Sequence, residues 1–116
     1  MEQGVIVENL YLGEEITEAT QAVKQTVFFL ASARVRGVQL VRVVYERKNE
    51  TELQEKIYRA LRRILNAMKK RGDSTFYLRG NELQGESTEA QYLLEKCASL
   101  ANEYADIGNF ALYIYL

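Results

Sequence analysis

The chain of 116 residues contains no histidine, no proline, no tryptophan and a single cysteine. Without histidine the usual general base near neutral pH is missing. Ser-His and Cys-His nucleophile pairs and the commonest metal ligand are missing with it. One cysteine, Cys97, excludes an internal disulfide framework and every multi-cysteine zinc or iron–sulfur pattern. No cofactor motif is present either. Gly80-Asn81-Glu82-Leu83-Gln84-Gly85 has two glycines but lacks the Gly-Lys-Ser/Thr ending of a phosphate loop, and reads as a turn. Residues 1–10 hold two acids and no base, unlike a secretory leader. Its apolar runs, Val27–Ala31 among them, fall far short of the ~20 residues of a membrane helix. A lone thiol suits a reducing compartment, so the expectation is a soluble cytoplasmic protein that does not enter a membrane.

What is present is a strong alternation of apolar patterns. Val5–Leu12 reads as a strand between Gly4 and Gly13. Thr17 is an expected N-cap for a helix carrying Ala19, Val23, Val27 and Leu30, widened by Ala22, Thr26 and Ala33 and closed by Gly37. Phe28 and Phe29 lie outside that stripe, which suggests a helix covered on more than one side. Val38–Tyr45 is nearly continuous in apolar residues, as a central strand covered on both faces requires. Asn49-Glu50-Thr51-Glu52, or Thr51 with Gln54, offers a capping box. The helix behind it has Leu53, Ile57, Leu61, Ile64, Leu65 and Met68 on one stripe and stops at Gly72.

Thr75–Arg79 forms a short third strand. Thr88 with Gln91 opens a third helix, on whose inward face Cys97 is an apolar thiol rather than a nucleophile. Gly108 ends that helix. Asn109–Leu116 alternates cleanly, with Phe110, Leu112, Ile114 and Leu116 opposite Ala111, Tyr113 and Tyr115. The order β-α-β-α-β-α-β predicts one α/β domain spanning residues 1–116. It would be a two-layer or three-layer sandwich on a four-stranded, mostly parallel sheet, with a mixed sheet as the alternative because the direction of the last strand is open.

The run Leu10-Tyr11-Leu12-Gly13, followed by Glu18-Ala19, a helix ending at Gly37 and the strand Val41-Arg42-Val43-Val44, resembles the small MutS-related (Smr) domain. The segment from Gly80 to Ile107 and the strand Gly108–Leu116 are similar to an insert and terminal strand in a subset of these domains from low-GC Gram-positive bacteria. The resemblance implies DNA or RNA binding and, for some members, endonuclease activity. The family's motifs are a Leu-Asp-Leu-His-Gly strand end and an Ile-His-Gly-x-Gly turn. Here Tyr11 replaces the first motif's aspartate and Gly13 its histidine. Tyr45 replaces the second motif's histidine, and Glu46 stands where its first glycine would be. Nuclease chemistry is therefore not expected.

Charge is unevenly placed. Residues 1–23 carry five acids and no base, residues 24–71 thirteen bases and four acids, and residues 73–116 two bases and seven acids. Lys56, Arg59, Arg62, Arg63, Lys69, Lys70 and Arg71 flank the stripe of the second helix, and Arg47 and Lys48 precede it. Of these, Arg47, Lys48, Lys56, Arg59, Arg62, Arg63 and Lys70 form the expected nucleic-acid interface, since a basic face can follow phosphates. The alternative is a solvated surface that meets the acidic ends of a second copy or a protein partner, giving a homo-oligomer or an interaction module. Tyr11, Tyr45, Tyr113 and Tyr115 offer either a base-stacking platform or ordinary packing. Glu14, Glu15 and Glu46 fall near strand ends, where three carboxylates could hold Mg²⁺ in a hydrolase.

Overall fold

The computed structural model describes residues 7–47, 49–72, 76–80, 82, 87–96 and 111–116. Its elements are β1 (Val7–Tyr11), α1 (Ala19–Val35), β2 (Leu40–Val44), α2 (Thr51–Arg71), β3 (Phe76–Arg79), α3 (Thr88–Lys96) and β4 (Ala111–Tyr115). The four strands form one sheet in the order β1-β2-β4-β3. Only the β1–β2 pairing is parallel, because β4 lies antiparallel between β2 and β3. The expectation of a mostly parallel sheet is thus corrected to a mixed one. The last strand inserts between two strands that run the same way, and nothing local to its sequence announces that position.

Burial follows strand position. All of β2 and β4 is buried except Val44 and Tyr115, whereas edge strands β1 and β3 are partly exposed. Val41 and Val43 of β2 and Leu112 and Ile114 of β4 point to one face, where they pack with Leu30, Ile57, Leu61 and Leu65 of α1 and α2. Leu40, Ala111 and Tyr113 point to the other and meet Ala90 and Leu93 of α3. The molecule therefore has three layers, with α1 and α2 side by side on one face and α3 on the other. Each fully buried leucine or isoleucine contributes about 1.5–3 kcal/mol, so this two-sided burial is what holds β2 and β4 at the centre.

Helix ends show how local chemistry sets the frame. Glu18, not Thr17, is the N-cap of α1. The Gln21 carbonyl oxygen of the side chain accepts from the backbone N–H groups of Thr17 (2.7 Å) and Glu18 (3.0 Å), satisfying donors the helix leaves open. Gly37 (φ 80°) and Gly72 (φ 81°) end α1 and α2 in the left-handed region that other residues avoid. Ser87, one residue before the expected cap, accepts from the Ala90 N–H at the start of α3. Cys97, and the expected continuation of that helix, lie outside the described residues.

The inward stripe of α2 is as expected for Ile57, Leu61, Leu65 and Met68, with Gln54 added. That of α1 is rotated: Ala22, Thr26, Leu30 and Ala33 are buried, while Val27 turns outward. Phe29 packs against the core, but Phe28 is 79% exposed, so this side of α1 is not covered as expected.

Candidate functional site

The basic residues of the middle segment divide into three groups once folded. Arg47 is one correction. Its side chain is buried, its guanidinium donates to the Ile16 carbonyl, and it lies 3.9 Å from the Glu50 carboxylate. Its own N–H donates to the Gln54 side chain at 2.7 Å. A guanidinium spent in this way fastens the loop after β2 to the loop after β1, and cannot reach a phosphate in solvent. Lys48 lies outside the described residues.

Lys56, Arg59, Arg63 and Lys70 are exposed on the outward side of α2. Lys56 pairs with Glu52 at 3.4 Å, an exposed i,i+4 contact of little energetic weight. Arg62 behaves differently. With Lys69, one and two turns of α2 carry it toward β3, where both line a cleft of about 420 Å³ with Tyr58, Asn66, Tyr77 and Arg79. Neither Arg62 nor Lys69 makes an ion pair among the described residues. Glu82 also lines the cleft, its carboxylate accepting from the Arg79 N–H at 2.7 Å.

The floor of this cleft is preorganised. The Arg79 guanidinium carbon sits 3.9 Å from the centre of the Tyr58 ring, and Tyr58 stacks on Tyr45 with ring centres 5.9 Å apart. Arg79 Nε donates to the Tyr45 hydroxyl at 3.3 Å, and another guanidinium nitrogen lies 4.0 Å from Glu55. The Tyr77 hydroxyl donates to Asn66 at 2.7 Å, tying β3 to α2. Burial pushes the Tyr45 phenol above its usual range, a rise that its contact with Arg79 reduces. Because the Tyr58 ring is engaged by Tyr45 and Arg79, the chemistry this cleft offers is hydrogen bonding and positive charge from Arg62, Lys69 and Arg79. That suits phosphate oxygens better than base faces.

Tyr58, Asn66, Lys69, Tyr77 and Arg79 were not among the expected interface residues. Period-3.6 spacing places Tyr58, Arg62, Asn66 and Lys69 along one side of α2, a signal present in the sequence. Their meeting with Tyr77 and Arg79 depends on β3 taking the sheet edge beside α2.

The other candidates resolve as follows. Tyr45, at the position of the resembled family's second histidine, is fully buried. Tyr113 is buried, and Tyr115 stacks on Phe76 at 5.2 Å with its hydroxyl 3.1 Å from that of Tyr92. These three tyrosines pack rather than form an open stacking platform, while Tyr11 stands exposed on edge strand β1. Gly13, Glu14 and Glu46 line a cleft of about 370 Å³ at the ends of β1 and β2, with Arg47 in its wall. Glu15 is not part of that lining; its carboxylate instead lies where a Cβ on Gly13 would project. No group of three acids, cysteines or histidines able to hold a metal occurs among the described residues, so the carboxylate trio is not assembled. No helix among them is long and apolar enough to cross a membrane.

Comparison with protein-family models, with curated proteins and with solved structures finds no match to this chain.

Proposed function

We propose that this chain is a divergent, non-catalytic Smr-like domain of the cytoplasm that binds the backbone of DNA or RNA weakly. Contact runs through the basic side of α2 and the cleft beside β3. The observation that carries this reading is the convergence of Arg62, Lys69 and Arg79 on one cleft in which Tyr58 is already committed to holding Arg79 in place. Lys56, Arg59, Arg63 and Lys70 continue the positive surface outward from it. Phosphates are the ligands that such a surface attracts irrespective of base sequence, with affinity that falls as salt releases the benefit of counterion displacement. Catalysis plays no part in this reading: Gly13 has no side chain, and the Tyr45 phenol is fully buried, bonded to Arg79 and raised above its usual range, so neither takes the place of histidine near neutral pH.

The test is titration of single- and double-stranded DNA and RNA of mixed sequence at low salt by fluorescence anisotropy. Arg62→Ala/Lys69→Ala should weaken binding of all four ligands, and reversal of Arg59, Arg63 and Lys70 to Glu should weaken it further. Absence of binding at low salt, or binding unchanged in both variants, overturns the reading.

A further inference from the structure

On the opposite side of α2 from the β3 cleft, α1 and α2 lie next to each other and leave an open apolar seam. Two cavities follow it, of about 540 Å³ and 400 Å³, and share Ile64 as a common wall. Val23 and Val27 supply one bank, Ala60 and Ala67 the other, and the small side chains leave the seam concave. At its far end Val35 is 89% exposed. The seam runs from Ala19 to Val35, about 24 Å at 1.5 Å per residue, or roughly four turns of a docked helix.

Among the described residues its charged side chains are of one sign: Lys24 and Arg63 line the first cavity and Arg34 and Arg71 the second, and no Asp or Glu side chain lines either. The sequence holds no Asp or Glu in residues 19–36 or 56–72. A two-fold contact between the seams of two copies would oppose these cations to one another, which costs free energy. A flat bilayer surface does not fill a concave seam. An amphipathic helix with an apolar stripe and acidic flanks matches both the shape and the charge.

We propose that the α1–α2 seam is a docking groove for an acidic amphipathic helix of a partner protein. The apolar stripe of that helix lies against Val27, Val35, Ile64 and Ala67, and its flanking carboxylates meet Lys24 and Arg63. The groove shares Arg63 with the outward basic face but no residue with the β3 cleft, and Val27 and Val35 belong to the groove alone, so Val27→Asp/Val35→Asp and Arg62→Ala/Lys69→Ala separate the two readings.

The probe is a labelled 16-residue Glu/Leu/Ala peptide with leucines at i, i+3, i+4 and i+7 and glutamates on the flanks, read by anisotropy. Controls are a scrambled peptide of identical composition and one with Lys in place of Glu. The ordered acidic peptide should bind at least tenfold more tightly than either control. Val27→Asp/Val35→Asp, at two positions already open to solvent, should weaken it at least tenfold with unchanged far-ultraviolet circular dichroism. Lys24→Glu/Arg63→Glu should weaken it similarly, and Arg62→Ala/Lys69→Ala should leave it within twofold. Equal binding of the scrambled peptide overturns the proposal, as does retention of binding by Val27→Asp/Val35→Asp. Two further outcomes also overturn it: binding to phosphatidylserine vesicles that is lost in Val27→Asp/Val35→Asp without peptide binding, and a dimer in light scattering that the same variant dissociates.

Discussion

The guanidinium of Arg47 donates to the backbone carbonyl of Ile16, across 31 positions of sequence. This contact joins the loops that follow β1 and β2 and satisfies a carbonyl outside any helix or strand. With the Gln54 side chain accepting from the Arg47 N–H, it sets where α2 begins. Truncating Arg47 removes a charge-assisted bond, leaves the Ile16 carbonyl short of a partner and opens space in a buried wall. Arg47→Ala should therefore lower stability by about 1.5–3 kcal/mol, read as a shift of the urea midpoint. Oligonucleotide affinity of the folded variant should stay unchanged, because Arg47 is not at the surface.

A second prediction concerns alkaline pH. Burial raises the Tyr45 phenol above its usual range, and Tyr115 is raised by its hydrogen bond with Tyr92 and then by burial. Unfolded tyrosines ionise near pH 10. The folded state therefore holds these protons more tightly than the unfolded state does. The stability that this difference contributes is complete below about pH 10 and is lost as pH rises through the higher folded values. Urea midpoints at pH 9, 10 and 11 should fall progressively. In Tyr45→Phe that fall should be shallower, although the variant is weaker at neutral pH by about 0.5–1.5 kcal/mol through loss of the Arg79 contact. An equal slope in both proteins would remove Tyr45 from the account.

How far the sequence could lead differs from element to element. The Ile57, Leu61, Leu65 and Met68 stripe and the apolar run of β2 are legible because burial on a helix or in a central strand imposes a period on the residues themselves. Arg47 misleads for the opposite reason: a cation in a polar turn before a basic helix has the local signature of a surface residue. Only the position of the Ile16 carbonyl makes it structural. The outward turn of Val27 is likewise invisible to periodicity, since a rotation of α1 by a fraction of a turn exchanges one apolar edge for another. The meeting of Tyr58 with Arg79 depends on the sheet order, which long-range pairing decides.

Two glycines give a cleaner test of the backbone. Gly37 and Gly72 have φ of 80° and 81°, and a Cβ at either position would meet nothing within 4 Å. The cost of a side chain there is conformational, not steric crowding by neighbours. Gly37→Ala and Gly72→Ala should each destabilise by about 1 kcal/mol. The two ends belong to different helices, so the double variant should lose close to the sum. Urea denaturation of the three proteins checks both statements.

The last prediction separates the β3 cleft from the outward face of α2. Each phosphate contact contributes about 0.9 to the slope of log K against log salt for duplex DNA, and about 0.7 for a single strand. Arg62→Ala/Lys69→Ala removes two of the three cations that line the cleft, so the slope for duplex should fall by nearly 2. Arg79→Lys keeps the charge but loses the planar group seated over Tyr58, and a lysine cannot reproduce that stacking or the bond to Tyr45. If the cleft positions phosphate through that geometry, Arg79→Lys should weaken binding severalfold while leaving the salt slope nearly intact. A slope that falls only on reversal of Arg59, Arg63 and Lys70, and not in the cleft variants, would move the interface to the outward face and leave the Tyr45–Tyr58–Arg79 stack a purely structural feature.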